Sequence, residues 1–89
     1  MLTPSYSKQF DKDIKRLQKR GKSKEKIKII IKMLIDEVLL PERCRDHKLI
    51  GNYKGRRECH VEPDWLLIYK IEASEITFER TGSHSDLFK

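Results

Sequence analysis

The sequence has 89 residues, of which 37% are hydrophobic and 38% are charged, and its net charge is +6. A chain of this length buries only about 60–65% of its unfolded surface, which leaves no material for a second core, so we expect residues 1–89 to form a single domain. No apolar run approaches the roughly 18–20 residues of a membrane span, and the first residues lack a secretory signal pattern, so we expect a cytoplasmic protein without membrane contacts.

The positive charge is concentrated in the first half of the chain. Residues 1–45 carry a net charge of +7 and residues 46–89 a net charge of −1. A basic surface attracts nucleic acid, and equally an acidic protein partner. Lysines on a solvated helix face would account for the same charge. Charge alone therefore does not decide among nucleic-acid binding, binding of an acidic protein and a solvated surface.

The first half of the chain predicts a helical hairpin. Ser7 is a suitable N-cap for a helix that stops at Gly21, and Ser23 can cap a second helix that Pro41 forces to end near Leu40. Apolar residues recur every three or four positions through both segments, which gives each helix one apolar face. These residues are Phe10, Ile14, Leu17, Ile27, Ile31, Leu34 and Val38.

Short segments with the period of a β-strand occupy both ends of this hairpin. Residues 2–6 are suited to a first strand, 46–50 to a second, and the alternating or continuously apolar segments 56–62, 65–71 and 75–81 to an antiparallel meander. The resulting fold class is α+β, with the N-terminal helical hairpin packed on one face of a small antiparallel β-sheet.

The meander predicts that the histidines converge. His60, Asp64 and Trp65 lie around the turn between two of its strands, and the segment after Thr81, "GSHSDLF", leaves the sheet at the same end. If 46–49 pairs with 56–60, His47 falls beside the same region. We therefore expect three imidazoles and one carboxylate at one end of the sheet.

Three imidazoles and a carboxylate suit metal-independent cleavage of an RNA phosphodiester. The 2′-OH must lose a proton and the departing 5′-oxygen must gain one, and histidine does both near neutral pH. Arg80 or Arg56 could neutralise the phosphorane, and Trp65 could stack on an unpaired base. Other basic residues that could hold the RNA backbone are Arg43, Arg45, Lys48, Lys54 and Arg57.

Each of these residues also has a structural interpretation. Asp64 follows Pro63 and suits a turn, Trp65 is equally suited to the core, and Phe88 to anchoring the C-terminus. The histidines and cysteines lack H-x-x-x-H or C-x-x-C spacing, so we expect no metal and no cofactor. Cys44 and Cys59 are too few for a disulfide framework and are expected to be buried thiols.

Three separated motifs closely resemble the YafQ-like branch of the RelE/ParE superfamily of bacterial toxins. They are D-H-x-L-x-G at 46–51, R-x-x-H-x-x-P-D-W-x-L-x-Y at 57–69, and R-x-G-[ST]-H-x-x-L-F at 80–88. The resemblance implies a RelE/ParE-like fold, similar to that of microbial ribonucleases, and a ribosome-dependent mRNA endonuclease that acts without metal in the ribosomal A site of the 70S ribosome. It implies shared acid and base roles for His60, His84 and Asp64, with substrate orientation by His47 and Trp65. Arg80 and Phe88 belong to the same matching positions.

The resemblance also implies partners and leaves rivals open. An acidic DinJ-like antitoxin would neutralise the protein, and operator DNA would be contacted only indirectly, through the antitoxin complex. The rivals are a ParE-like toxin that binds DNA gyrase without catalysis, and a basic RNA- or protein-binding module in which the histidines are incidental.

Overall fold

The computed structural model describes residues 1–88, apart from the side chain of Asn52. Three helices and five strands make up the fold, with short 3₁₀ turns at Glu42–Cys44 and Gly51–Tyr53. In chain order the elements are β1 (Thr3–Tyr6), α1 (Lys8–Lys19), α2 (Lys24–Ile35), β2 (His47–Lys48), β3 (Arg57–Glu62), β4 (Trp65–Glu72), β5 (Glu75–Gly82) and α3 (His84–Leu87).

The first helix begins and ends where the sequence predicts. The Ser7 hydroxyl accepts a hydrogen bond from the Phe10 backbone N–H at 2.9 Å, and so caps α1. Gly21 adopts a left-handed conformation with φ 87° just after the helix, where a glycine is favoured because it has no Cβ.

The second helix is shorter than predicted. We expected it to reach Leu40, but α2 ends at Ile35 and Glu37 turns the chain with φ 58°. The Val38 N–H then donates to the Met33 carbonyl and the Glu37 N–H to that of Leu34, the hydrogen-bond pattern of a Schellman motif. The expectation was wrong because Pro41 sets only the latest possible end, whereas a non-glycine residue in the left-handed region ends the helix earlier.

The sheet contains all the predicted strands in the order β1-β5-β4-β3-β2. β2 through β5 pair antiparallel, as expected for a meander. β1 pairs parallel with β5, from Thr3 opposite Glu75 to Tyr6 opposite Phe78, so the sheet is mixed and not purely antiparallel. The parallel pairing follows because α1 and α2 separate β1 from the meander and return the chain to the other edge.

The two faces of the sheet carry separate apolar clusters. The larger cluster joins α1 and α2 to alternate strand residues, among them Trp65, Tyr69 and Phe78. The smaller one joins Leu66 and Ile68 to Leu87 of α3. The fold class is therefore confirmed, with the helical hairpin on one face. None of the helices in the described part of the chain has the length and apolar character needed to cross a membrane.

Candidate active site

His60 is positioned by an irregularity at the end of β3. The β3–β4 register shifts between His60 and Glu62, so the strand bends just before the Pro63–Asp64 turn. His60 Nδ1 lies 3.2 Å from the Pro63 carbonyl oxygen. A carbonyl can only accept, so Nδ1 donates to it and Nε2 is left for exchange with a substrate.

His84 is positioned by a short helix that was not predicted from the sequence. It is the first residue of α3, which has a capping box between Ser83 and Asp86. Arg20 of α1 donates to both carboxylate oxygens of Asp86, at 2.7 and 3.1 Å. Hydrogen bonding from Arg20 is the largest cause that lowers the pKa of Asp86 far below its usual range, and the bond from the Ser83 N–H is the second largest. The S-x-x-D spacing at 83–86 was the signal for this helix.

Asp64 binds His84 at two atoms. Its Oδ1 accepts from the His84 backbone N–H at 2.9 Å and faces His84 Nδ1 at 2.7 Å. These bonds, the backbone one first, lower the pKa of Asp64 and keep its carboxylate ionised. The ionised carboxylate holds the Nδ1 proton and leaves His84 Nε2 for exchange with a substrate.

The two imidazoles form a pair at one end of the sheet. Their ring centroids are 5.9 Å apart, and His84 is 56% exposed. Each ring is fixed through Nδ1, so each can present Nε2 to a group bound between them. The geometry thus brings together His60, Asp64 and His84, as the sequence predicts.

His47 lies beside this pair without joining it. It is opposite Glu58 in β3, with Nε2 3.0 Å from a carboxylate oxygen of Glu58, whose side chain is only 7% exposed. His47 Nδ1 bonds the Arg45 carbonyl. Both ring nitrogens are therefore engaged, which suits an orienting role better than proton transfer.

The predicted cationic residues differ in how they are held. Arg80 donates to Asp13 of α1, at 2.8 Å from Nε and 3.4 Å from Nη2, and this hydrogen bond raises the pKa of Arg80. Arg56 donates to Glu79 at 2.7 Å. Their ion pairs fix these guanidinium groups in place. Asp13 was not predicted as a site residue, although its position between Phe10 and Leu17 on the apolar face of α1 was a signal.

Arg57 and Lys54 are not part of the histidine pair. Arg57 pairs with Asp46 at 3.3 Å and lines a cleft near the end of α2, with Leu40 and Ile71. Lys54 is exposed on the loop before β3. Arg57 therefore has a structural contact, whereas the exposed Lys54 can approach a bound phosphate.

Trp65 is part of the core. Only 1% of the residue is exposed, and its indole N–H donates to the Thr81 hydroxyl at 2.9 Å. The expectation that Trp65 offers its face to a base is wrong for this conformation, because the ring packs among the side chains beneath the helices. It supports the site by holding β4 against β5.

Phe88 is the exposed aromatic residue beside His84. It is 39% exposed, and its ring centroid is 6.4 Å from that of His84 and 5.5 Å from that of Tyr53. Tyr53 was not predicted as a site residue. Its place in the turn-rich segment "GNYKG" gave no periodic signal.

The described residues contain no group of three or more histidine, cysteine, aspartate or glutamate side chains arranged to hold a metal ion. Cys44 and Cys59 are both buried, as expected, and unpaired in the part of the chain that the structure covers. Burial raises the pKa of Cys59 far above its usual range. The side chains around the histidine pair thus offer proton-transfer groups and cations.

Comparison with known proteins places these observations in a family. Residues 2–89 match the family model described as "Bacterial toxin of type II toxin-antitoxin system, YafQ". The chain is 50% identical over 84 residues to the mRNA interferase toxin YafQ of Escherichia coli K12, which covers 93% of this chain and 91% of that one. A crystal structure of YafQ from E. coli BL21(DE3) superposes with a TM-score of 0.94 at 46% identity over the full length of both chains. A chain in the crystal structure of the E. coli DinJ–YafQ complex matches with a TM-score of 0.92, at 46% identity and full coverage of both.

Proposed function

The chain belongs to the YafQ family of bacterial type II toxins, and we propose that it is an endoribonuclease that cleaves mRNA on the ribosome by acid–base catalysis. The observation that carries the proposal is the histidine pair, in which both Nδ1 atoms are held and neither Nε2 atom has a hydrogen-bond partner among the described residues. The E. coli K12 relative is named an mRNA interferase, and the basic charge of this chain suits an RNA substrate.

The reaction requires two proton transfers at one phosphodiester. His60 Nε2 takes the proton of the ribose 2′-OH, and that oxygen attacks the adjacent phosphorus. The bond from phosphorus to the 5′-oxygen breaks, and His84 Nε2 gives that oxygen a proton. The products are a 2′,3′-cyclic phosphate and a 5′-hydroxyl, with no net gain or loss of protons.

The partners of the two rings support this division of roles. His84 Nδ1 lies 2.7 Å from the Asp64 carboxylate, and we assign the acid role to the ring that this carboxylate orients. His60 bonds a neutral carbonyl, which suits the base. Asp64 then acts as the group that orients His84, as the third member does in other acid–base sites.

We assign the stabilisation of charge on the phosphorane oxygens to the two arginines that are held in place by carboxylates. Arg80 and Arg56 are each held by a carboxylate, and a preorganised cation stabilises developing charge without having to reorient. Lys54 and Phe88 contact the RNA on either side in this proposal. His47 orients the substrate from the neighbouring strand.

The antitoxin is assigned to the surface between the two long helices. A groove of about 750 Å³ runs between α1 and α2. Its apolar residues and its lysines together suit an acidic amphipathic segment, and the E. coli relative is found in a complex with DinJ. We therefore propose a DinJ-like antitoxin as the occupant, with operator DNA bound only through it. Residues lining the groove include Ile14, Ile27, Ile31, Lys15, Lys28 and Lys32.

The decisive experiment examines the ends of the RNA products. The purified protein is added to ribosomes translating a short mRNA. We expect cuts within the reading frame that leave a 5′-hydroxyl and a 2′,3′-cyclic phosphate. A single 2′-deoxy substitution at the cut position should abolish cleavage there. Cleavage that survives this substitution would exclude attack by the 2′-OH. Arrest of translation without any cut would favour a ParE-like binding toxin.

A further inference from the structure

Two aromatic rings lie beside the histidine pair, and Trp65 is not one of them. Phe88 follows α3, and Tyr53 ends the 3₁₀ turn that precedes β3. Their ring centroids are 5.5 Å apart and the ring planes meet at 80°. Phe88 in turn lies 6.4 Å from the ring of His84. The pair therefore forms a corner of two nearly perpendicular rings next to the proton-transfer site.

Tyr53 is fixed on both sides. Its ring packs against the small apolar cluster of Leu66, Ile68 and Leu87, beneath the site. Its backbone carbonyl accepts a hydrogen bond from the Arg56 N–H at 3.0 Å, which fixes the turn that carries it. Tyr53 is half-buried, so part of its side chain is accessible to a ligand.

The surroundings of this corner select a nucleobase among planar ligands. Lys54 and Arg56 follow Tyr53 closely in the chain, and Glu79 holds Arg56 at 2.7 Å. These cations suit the phosphates on either side of a base. A base that lies flat on one ring meets the edge of the other, and aromatic rings favour both contacts.

We propose that Tyr53 and Phe88 form the binding site for a nucleobase adjacent to the scissile phosphate. The inference rests on the proposed ribonuclease activity and adds a specific ligand to it. Tyr53 is thus a substrate-binding residue and takes the stacking role that the sequence suggested for Trp65. A base held on this corner places its own ribose and phosphate beside His84.

The test combines a change in the protein with a change in the RNA. Tyr53→Leu removes the aromatic face and keeps an apolar side chain against the cluster, whereas Tyr53→Phe keeps the ring and removes the hydroxyl. The RNA is a short mRNA on ribosomes, used intact or with one abasic ribose, placed in turn at the nucleotide before and after the cut. Melting curves establish that each variant is folded, and Tyr6→Leu, on β1, is the matched control.

The proposal predicts a specific pattern in these assays. Tyr53→Leu should raise KM on intact mRNA by about 5- to 100-fold, the effect of losing one stacked base, with kcat changed far less. Tyr6→Leu should resemble wild type, and Tyr53→Phe should recover most of the affinity that Tyr53→Leu loses, because it keeps the ring. With one of the two abasic substrates, the KM of wild type should rise by the same factor. The KM of Tyr53→Leu should not rise further with that substrate.

Other outcomes separate the two proposals. If wild type cuts mRNA and Tyr53→Leu cuts it equally well, the base site is wrong and the ribonuclease stands. An equal loss for Tyr53→Leu on intact and abasic substrates would make Tyr53 a structural residue only. Failure of wild type to cut any mRNA would remove the ribonuclease proposal itself.

Discussion

Asp13 is the buried carboxylate on which the site strand depends, and we predict that Asp13→Asn strongly destabilises the protein. Its side chain is 0% exposed and receives hydrogen bonds from Gln9, Arg16, Arg80 and the Thr81 backbone N–H. An amide has a single acceptor oxygen, so the substitution turns its NH₂ group toward groups that also donate.

The expected magnitude follows from this contact set. Removing one partner from a buried, hydrogen-bonded ion pair costs about 3–5 kcal/mol. For a domain of this size, each kcal/mol lowers the melting temperature by about 4–8 °C, so we expect a fall of at least about 12 °C. Cleavage should also drop, because Arg80 loses its anchor.

The assay is thermal and urea unfolding followed by circular dichroism. Asp11→Asn is the matched control, since Asp11 lies on the exposed side of the same helix and should change stability by less than about 1 kcal/mol. A stability of Asp13→Asn within about 1 kcal/mol of wild type would refute the reasoning that this carboxylate organises the strand.

Three further predictions concern groups around the site. His47→Ala should lower the unfolding free energy by about 1–3 kcal/mol, because it leaves the buried Glu58 carboxylate without its partner; a urea midpoint equal to that of wild type would contradict this. Asp86→Asn should lower the melting temperature most at neutral pH. Its pairing with Arg20 keeps the folded pKa of Asp86 below the unfolded value of about 4, so that stabilisation is lost as the pH falls through the folded pKa. The difference in melting temperature between Asp86→Asn and wild type should therefore shrink toward pH 2. A difference that does not change with pH would argue against the ion pair. Finally, a thiol reagent at neutral pH should leave native Cys59 unmodified, since burial raises its pKa, and should label it in denaturant; rapid native labelling would indicate local opening of β3.

The helices were predictable where their ends follow local rules. Ser7 and Gly21 occupy positions that favour a cap and a left-handed turn, so α1 could be placed from the sequence. The end of α2 could not, because Glu37 adopts a left-handed conformation that its side chain does not signal. The parallel pairing of β1 also depends on how the whole chain returns to the sheet.

The histidine pair was predictable because a meander brings alternate strand ends together. His60, Asp64 and His84 needed only that topology and the resemblance of their motifs. The burial of Trp65 was not predictable, since an aromatic residue at the start of an apolar strand suits both the core and a binding surface. Long-range contacts such as the one from Asp13 to Arg80 leave still weaker local signals.

The central claim is that two histidines transfer the protons of RNA cleavage, and mapping of RNA 5′ ends tests it most directly. Wild type, His60→Gln and His84→Gln are expressed in turn beside a reporter mRNA, and each purified protein is melted to verify its fold. The account predicts new cuts within the translated frame for wild type. Each variant should lose about 100- to 10,000-fold of that cleavage, the usual contribution of an acid or base, with its melting temperature nearly unchanged. Cuts that persist at the wild-type rate in both folded variants would contradict the account.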